Sequence, residues 1–202
     1  IDNSNTKSLK QKKYDLMYSI NSRGTFMVSK FALPYLLQSE NAHVLNLAPP
    51  IDLHPTWFKL GGTAYTIAKY NMAMCAIGMA EEHRGSIAFN NLWPRTSIAT
   101  AAVKMLAGNV GMNASRTVDI MSDAAHWILT QDNKKVSGNC FVDEDVIVKH
   151  MGQPESKLDE YKVNRWFPLI PDLFVGDPKS MEKYVDIAKM FGGLGSFFEG
   201  KS

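Results

Sequence analysis

A tyrosine and a lysine one helical turn apart are the residues in this sequence best suited to moving a proton. Tyr65-Thr66-Ile67-Ala68-Lys69 sets a phenol and an ammonium at positions i and i+4, which a helix brings onto one face. A free phenol has a pKa of about 10 and is a poor base at neutral pH, whereas a cation beside it favours the phenolate and brings it toward usable acid–base chemistry. The spacing alone is weak. With 7 tyrosines and 22 lysines and arginines in 202 residues, about half a chance match is expected, and a pair on a solvated helix face is the plainer explanation.

Other chemistries find less support. His43, His54, His83, His126 and His150 show no His-Glu-x-x-His or paired spacing, and Glu81-Glu82-His83 has the wrong order for zinc, so no metal is expected. Asp143-Glu144-Asp145 reads as an acidic turn after a strand before it reads as a cation site. Cys75 and Cys140, far apart in a chain with 11 methionines, exclude a disulfide scaffold and a thiolate zinc site; they suit a reducing compartment and read as small buried hydrophobes.

The elements that must position the pair follow from periodicity. Apolar residues at three- and four-residue spacing predict a long helix over 13–37, with Gly24 inside it as a close-packing point against a neighbour. Residues 43–47 predict a buried parallel strand stopped by Pro49-Pro50, and a loop with Pro55, Gly61 and Gly62 follows. A second long helix over 63–83 presents a face of small residues, and 87–93 is a second buried strand closed by Pro94. A short helix over 98–106, a helix over 119–129 and a third strand over 137–143 complete an alternation that indicates an open α/β sheet. After Asp145 the pattern fades into a proline-broken apolar tail, from Trp166 to Phe174, that packs across the domain or onto a partner. The Tyr-Lys helix thus follows a strand and loop, and the next strand ends at Trp93-Pro94-Arg95-Thr96, on the edge where such sheets bind ligands.

Composition narrows the partners. The length suits about one to one and a half domains, and 45% hydrophobic with 21% charged residues describes a globular chain. A net charge of +2 argues against nucleic acid and anionic membrane surfaces, and Lys7 to Lys13, without interleaved aromatics, reads as a solvated helix start. No apolar run approaches the roughly 18 residues of a spanning helix, so no transmembrane segment is expected. The chain opens on Ile1 without a recognisable signal or transit pattern, and an upstream segment is expected.

At Asn21-Ser22-Arg23-Gly24-Thr25, Ala64 to Tyr70, Leu92 to Thr96 and Ser137 to Asp143 the chain resembles the short-chain dehydrogenase/reductase family, in the family's order and spacing. More narrowly it resembles the hydroxysteroid dehydrogenase-like branch, whose longer members carry a sterol-carrier-type domain. The resemblance implies a doubly wound, Rossmann-like, mostly parallel sheet and an NAD- or NADP-dependent transfer of hydride to or from an apolar, lipid- or steroid-like carbonyl or secondary alcohol. It makes Tyr65 the general acid or base, and Lys69 the group that lowers the Tyr65 pKa and bonds the nicotinamide ribose. Asn21 becomes the holder of a relay water, against the plainer reading of a polar helix residue facing backbone. Pro94, Thr96 and Thr100 would edge the nicotinamide. Arg95 is a substrate or cofactor contact or a solvated arginine, and Trp57 with Phe58 lines an apolar substrate pocket or packs its own loop. The resemblance also implies a homo-oligomer or a subunit of an assembly, and it points to peroxisome or mitochondrion, although Gly200-Lys201-Ser202 is not the peroxisomal tripeptide.

Two departures temper this. The family's catalytic serine falls on Leu47-Ala48-Pro49-Pro50, where Ala48 offers no hydroxyl; Thr56 or Thr63 would have to stand in. The family's glycine-rich phosphate turn is missing, since Gly61-Gly62, Gly108 to Gly111 and Gly192-Gly193-x-Gly195 follow loops or helices and read as turns. Residues 1–150 are therefore expected to be the C-terminal part of a reductase domain lacking its N-terminal half. Residues 151–202 are expected to be an apolar extension. The alternative is a non-catalytic, reductase-derived structural subunit.

Overall fold

Strand β2, Ile87–Trp93, is buried along its whole length, as its apolar run between Ser86 and Pro94 requires of a central strand. β1, Ala42–Asn46, pairs parallel on one side, from Ala42 opposite Ile87 to Asn46 opposite Asn91. β3, Cys140–Val142, pairs parallel on the other, from Cys140 opposite Asn91 to Val142 opposite Trp93. The structure, a computed structural model, describes residues 2–182. Two buried amides on β2 bond their neighbours: Asn90 Nδ2 donates to the Val136 carbonyl at 2.8 Å while its oxygen accepts from the Asn139 N–H, and Asn91 Nδ2 donates to the Ala73 carbonyl while its Oδ1 has no hydrogen-bond partner among the described residues.

Parallel neighbours need crossovers, and helices supply them on both faces. α1 (Gln11–Tyr18) and α2 (Gly24–Leu36) run as one rod through a π-helical turn, Ser19–Arg23, ahead of β1. Between β1 and β2 lie α3 (Pro55–Gly61) and α4 (Thr63–Glu82), whose Ala76, Met79 and Ala80 pack with Ala42, Ile87 and Phe89. Between β2 and β3 lie α5 (Ala101–Asn113) and α6 (Asp119–Leu129), where Ala124 and Ile128 pack with Leu92 and Phe141. A parallel sheet sandwiched this way is Rossmann-like.

Several details differ from the sequence expectation. α3 occupies the expected loop because Pro55 stands at the first helical position and the His54 ring accepts from the Thr56 N–H at 3.3 Å. α5 is longer than expected and breaks at Gly108 (φ 56°, ψ −148°). β3 is shorter, since Gly138 at φ 80° bends the approach, although its N–H still reaches the Phe89 carbonyl at 2.8 Å. Gly24 is crowded by its own rod, not by a neighbour: a Cβ there would lie 3.3 Å from the Ser19 carbonyl oxygen of the π turn. The two cysteines are half-buried, Cys75 bordering a groove with Tyr18 and Phe26 on the outer side of α4, and Cys140 at the start of β3.

Beyond β3 the chain makes an acidic turn at Asp143–Asp145, a π turn and a 3-10 segment, Glu155–Tyr161, then returns over the carboxyl ends of the strands. Residues 170–175 form a strap there. The Ser97 N–H donates to the Ile170 carbonyl at 2.8 Å, Thr96 bridges Pro171, and the Trp93 indole N–H donates to the Leu173 carbonyl at 2.8 Å. Phe174 plugs the strap into the core among Trp57, Tyr65, Tyr70 and Trp93, with ring centroids 5.4 to 6.2 Å away. Trp166, by contrast, is 95% exposed. The Gly192, Gly193 and Gly195 turn and the tripeptide Gly200 to Ser202 lie outside the described residues. Among the described residues no helix is long and apolar enough to cross a membrane, and no three His, Cys, Asp or Glu side chains are grouped to hold a metal ion.

Candidate active site

A cavity of about 610 Å³ opens at the carboxyl ends of β1 and β2, the usual ligand edge of an open α/β sheet. Leu47 after β1, Trp93 at the end of β2 and Pro94 after it, Thr100 and Val103 at the start of α5, and Met121 of α6 form its mainly apolar wall. Tyr65 and Lys69 enter from α4, and Asp172 with Leu173 from the strap. Gly62, at φ 74°, turns the chain sharply into α4; a Cβ there would meet the Asn3 carbonyl oxygen at 2.8 Å, and Asn3 itself lies on the wall. Glycine is what lets the amino-terminal arm and the first turn of α4 meet so closely.

Lys69 is held from two sides. Its Nζ donates to the Leu47 carbonyl at 2.9 Å and lies 5.2 Å from the centre of the Trp93 ring, a cation–π placement. Burial lowers its pKa to about 8, with the Asp172 charge opposing. Burial, then the Asp172 charge, pushes the Tyr65 phenol above its ordinary value. Desolvation, with the Asp172 charge beside it, opposes the phenolate, in the direction opposite to the lowering expected from Lys69. Asp172 is pushed up to about 7 by burial, against the Leu173 N–H, which donates to its Oδ1 at 2.7 Å, and against the Lys69 charge.

Of the residues expected from the sequence, Tyr65, Lys69, Pro94 and Thr100 lie on the cavity wall. Thr100 also caps α5, its Oγ1 accepting from the Val103 N–H. Thr96 sits beside the wall on the bridge to Pro171, with its hydroxyl buried and without a hydrogen-bond partner among the described residues. Asn21 lies on the π turn, off the cavity, and its Nδ2 donates to the Met17 carbonyl at 3.0 Å. Trp57 is a correction. It is fully buried in α3, its indole N–H donates to Asp52 Oδ2 at 2.7 Å, and it packs on Phe174 behind the wall; its partner Phe58 stands edge-on to Tyr70. Arg95 is another, because its guanidinium turns to Asp145 at 2.8 Å and Glu144 at 3.5 Å, where paired carboxylates outbid the cavity. Neither hydroxyl suggested in place of the serine reaches the cavity: Thr56 Oγ1 donates to Glu182, and Thr63 is exposed at the start of α4. Ala48 itself is fully buried. Asp172 was missed, and only its place between Pro171 and Leu173 in an apolar tail hinted at it.

A nicotinamide ribose needs donors and acceptors within an apolar slot, and the Lys69 ammonium and the Tyr65 hydroxyl on the cavity wall match that need. Its pyrophosphate finds no cradle among the described residues. Gly61-Gly62 precedes a helix, yet the Asn3 backbone covers Gly62, and Gly108 and Gly111 lie within α5.

No family model matches the sequence. The chain is 47% identical over 198 residues to hydroxysteroid dehydrogenase-like protein 2 of Xenopus tropicalis, covering 98% of this chain and 46% of that protein. Its fold matches a short-chain dehydrogenase from Mycobacterium thermoresistibile with a TM-score of 0.78 at 39% identity, over 88% of this chain and 62% of that one. 4-Hydroxyisoleucine dehydrogenase, solved with NADH and succinate, shares the fold at a TM-score of 0.53 and 17% identity, over 70% of this chain and 61% of that one. The chain spans about half the length of the curated relatives it matches. With 47% identity over an alignment that takes in 98% of its residues, and with a Rossmann-like sheet that superposes on solved relatives, the chain belongs to the short-chain dehydrogenase/reductase family, in its hydroxysteroid dehydrogenase-like branch.

Proposed function

We propose that this chain carries the proton-handling edge of an oxidoreductase that moves hydride, with NAD or NADP, to or from an apolar carbonyl or secondary alcohol. The observation that carries the reading is the convergence of Tyr65 and Lys69 on a mainly apolar cavity at the carboxyl ends of β1 and β2. A nicotinamide cofactor, when bound, supplies the hydride; the NADH in the 4-hydroxyisoleucine dehydrogenase structure supports that class.

Tyr65 supplies the proton. Burial and Asp172 keep its phenol protonated, so in reduction the O–H bond breaks toward the substrate oxygen as the new C–H bond forms at the carbonyl carbon. Lys69, with its pKa at about 8, keeps its charge at neutral pH and offsets the phenolate left behind. The Leu47 carbonyl and the Trp93 ring fix where that charge sits. Asn21, its Nδ2 bonded to Met17, has an amide oxygen to offer a relay water.

A structural, non-catalytic subunit is the second reading, and Ala48 favours it. Losing one oxyanion donor costs about 10²–10³ in rate, which weakens hydride transfer without abolishing it. Exposed apolar side chains along α1 and α2 (Tyr14, Val28, Phe31) and α4 (Met74, Ile77) need cover under either reading, and we propose a homo-oligomer or larger assembly. The full-length protein titrated with NADH and NADPH, and assayed on an apolar ketone, tests the choice. Micromolar binding, with turnover lost in Tyr65→Phe, supports the enzyme; no binding of either nucleotide overturns it.

A further inference from the structure

Asp172 is the one acidic side chain on the wall of the cavity among the described residues, as Lys69 is the one basic side chain, and the proton path above gives it no role on the substrate. Its placement is built. The Asp172 N–H donates to the Arg95 carbonyl at 3.0 Å, and the Leu173 N–H donates to Asp172 Oδ1 at 2.7 Å. On either side of it, Pro171 bridges Thr96 and the Leu173 carbonyl accepts the Trp93 indole N–H. Phe174 then seats the strap among aromatic rings. A carboxylate fastened so closely is a fixed part of the cavity wall and not a mobile surface acid.

An apolar cavity holding a single ammonium would attract a carboxylate or phosphate, because an ion pair strengthens as water is excluded. Asp172 cancels that attraction. With both groups charged the wall is neutral overall, and an anionic head group reaching for Lys69 meets a like charge in the same low-dielectric space. A neutral carbonyl or hydroxyl meets no such opposition, and a substrate hydroxyl finds in Asp172 an acceptor. We infer that Asp172 is a specificity-determining residue that makes this cavity select uncharged apolar substrates over anionic ones of the same chain length. The inference deepens the oxidoreductase reading and rests on it for the identity of the ligand as a substrate.

The test compares a medium-chain methyl ketone with the keto acid of equal chain length, by calorimetric binding and by turnover, in the full-length protein. It is run midway between pH values of about 7 and about 8, where more than half of the Asp172 carboxyls have ionised and more than half of the Lys69 amines keep their proton. The native protein should bind the ketone at least about tenfold more tightly than the keto acid. Asp172→Asn, which keeps an oxygen for the Leu173 N–H, should bring that ratio near unity by improving affinity for the acid. Asp172→Ser serves the same comparison should the first variant fold poorly, and Asp172→Glu should retain the preference. A native ratio near unity, or one unchanged in folded Asp172→Asn and Asp172→Ser, overturns the inference. Preference without turnover of either compound overturns the oxidoreductase reading alone; failure of both compounds to bind overturns both.

Discussion

Removing the Phe174 ring should release the strap that carries Asp172 over the cavity. The ring is only 2% exposed and sits 5.4 Å from Tyr70, 5.8 Å from Trp93, 6.1 Å from Trp57 and 6.2 Å from Tyr65 between centroids. Truncating such a residue to alanine costs about 3–5 kcal/mol, from lost transfer energy and the cavity left behind. At about 2–4 °C per kcal/mol for a domain of this size, the melting temperature of Phe174→Ala should fall by about 6–20 °C. The backbone adds a second arm. Phe174 has φ 70°, a left-handed conformation that costs a residue with a Cβ about 1–2 kcal/mol, a cost alanine retains and glycine sheds. Glycine's extra unfolded-state entropy offsets only about 0.5–1 kcal/mol of that relief. Phe174→Gly should therefore be no less stable than Phe174→Ala, the reverse of their order at an ordinary position. Thermal melts give the stabilities, and amide exchange at Ser97 and Asp172, whose N–H groups close the strap, reports its release. A fall of less than about 2 °C, with both amides still protected, would refute the reasoning that ring packing holds the strap.

The pKa of Lys69, brought to about 8 by burial, sets an alkaline limb: reductase kcat/KM should fall as pH rises through that value and the ammonium is lost. Asp172 supports the charged lysine, so Asp172→Asn should move the limb to lower pH; a profile flat from about pH 7 to about pH 10 in the native protein counts against the assignment. Gly62→Ala should lose at least about 2 kcal/mol in chemical denaturation, because a left-handed backbone is joined by a clash with the Asn3 carbonyl oxygen. Gly85→Ala, at φ 81° with nothing within 4 Å, should lose only the backbone part, about 1–2 kcal/mol, and equal losses at the two sites would discount the Asn3 contact. Arg116 is 5% exposed, donates from Nη2 to Glu144 Oε1 at 2.7 Å and also reaches the Leu158 carbonyl. Arg116→Met should cost about 3 kcal/mol, because Glu144 keeps only its longer contact to Arg95 at 3.5 Å and the Leu158 carbonyl loses its donor, and adding Glu144→Met should recover part of that in the same denaturation assay.

How much of this was legible in the sequence depended on the range of the interaction. β2 ends where its apolar run meets Pro94, α6 fills its expected span, and α4 starts where expected and ends one residue early, because strand and helix periods and Pro or Gly stops act within a few residues. The same locality put Tyr65 and Lys69 on one face of α4, and both reach the cavity. α3 was hidden because its cap is a histidine nitrogen, an uncommon signal, and the π turn was hidden because it leaves the apolar spacing of the rod nearly unchanged.

What the tertiary structure alone decided is the environment of those two side chains. Trp57 goes to the core and Arg95 to carboxylates, while Asp172 arrives from a strap far along the chain and becomes the charge opposite Lys69. The sequence determined which groups stand one turn apart on a helix, since that needs only the helical repeat. It did not determine whether the phenol is held protonated or the ammonium partly discharged: both depend on how much water is excluded and which charge faces them, and those are set only when distant segments close over the same cavity.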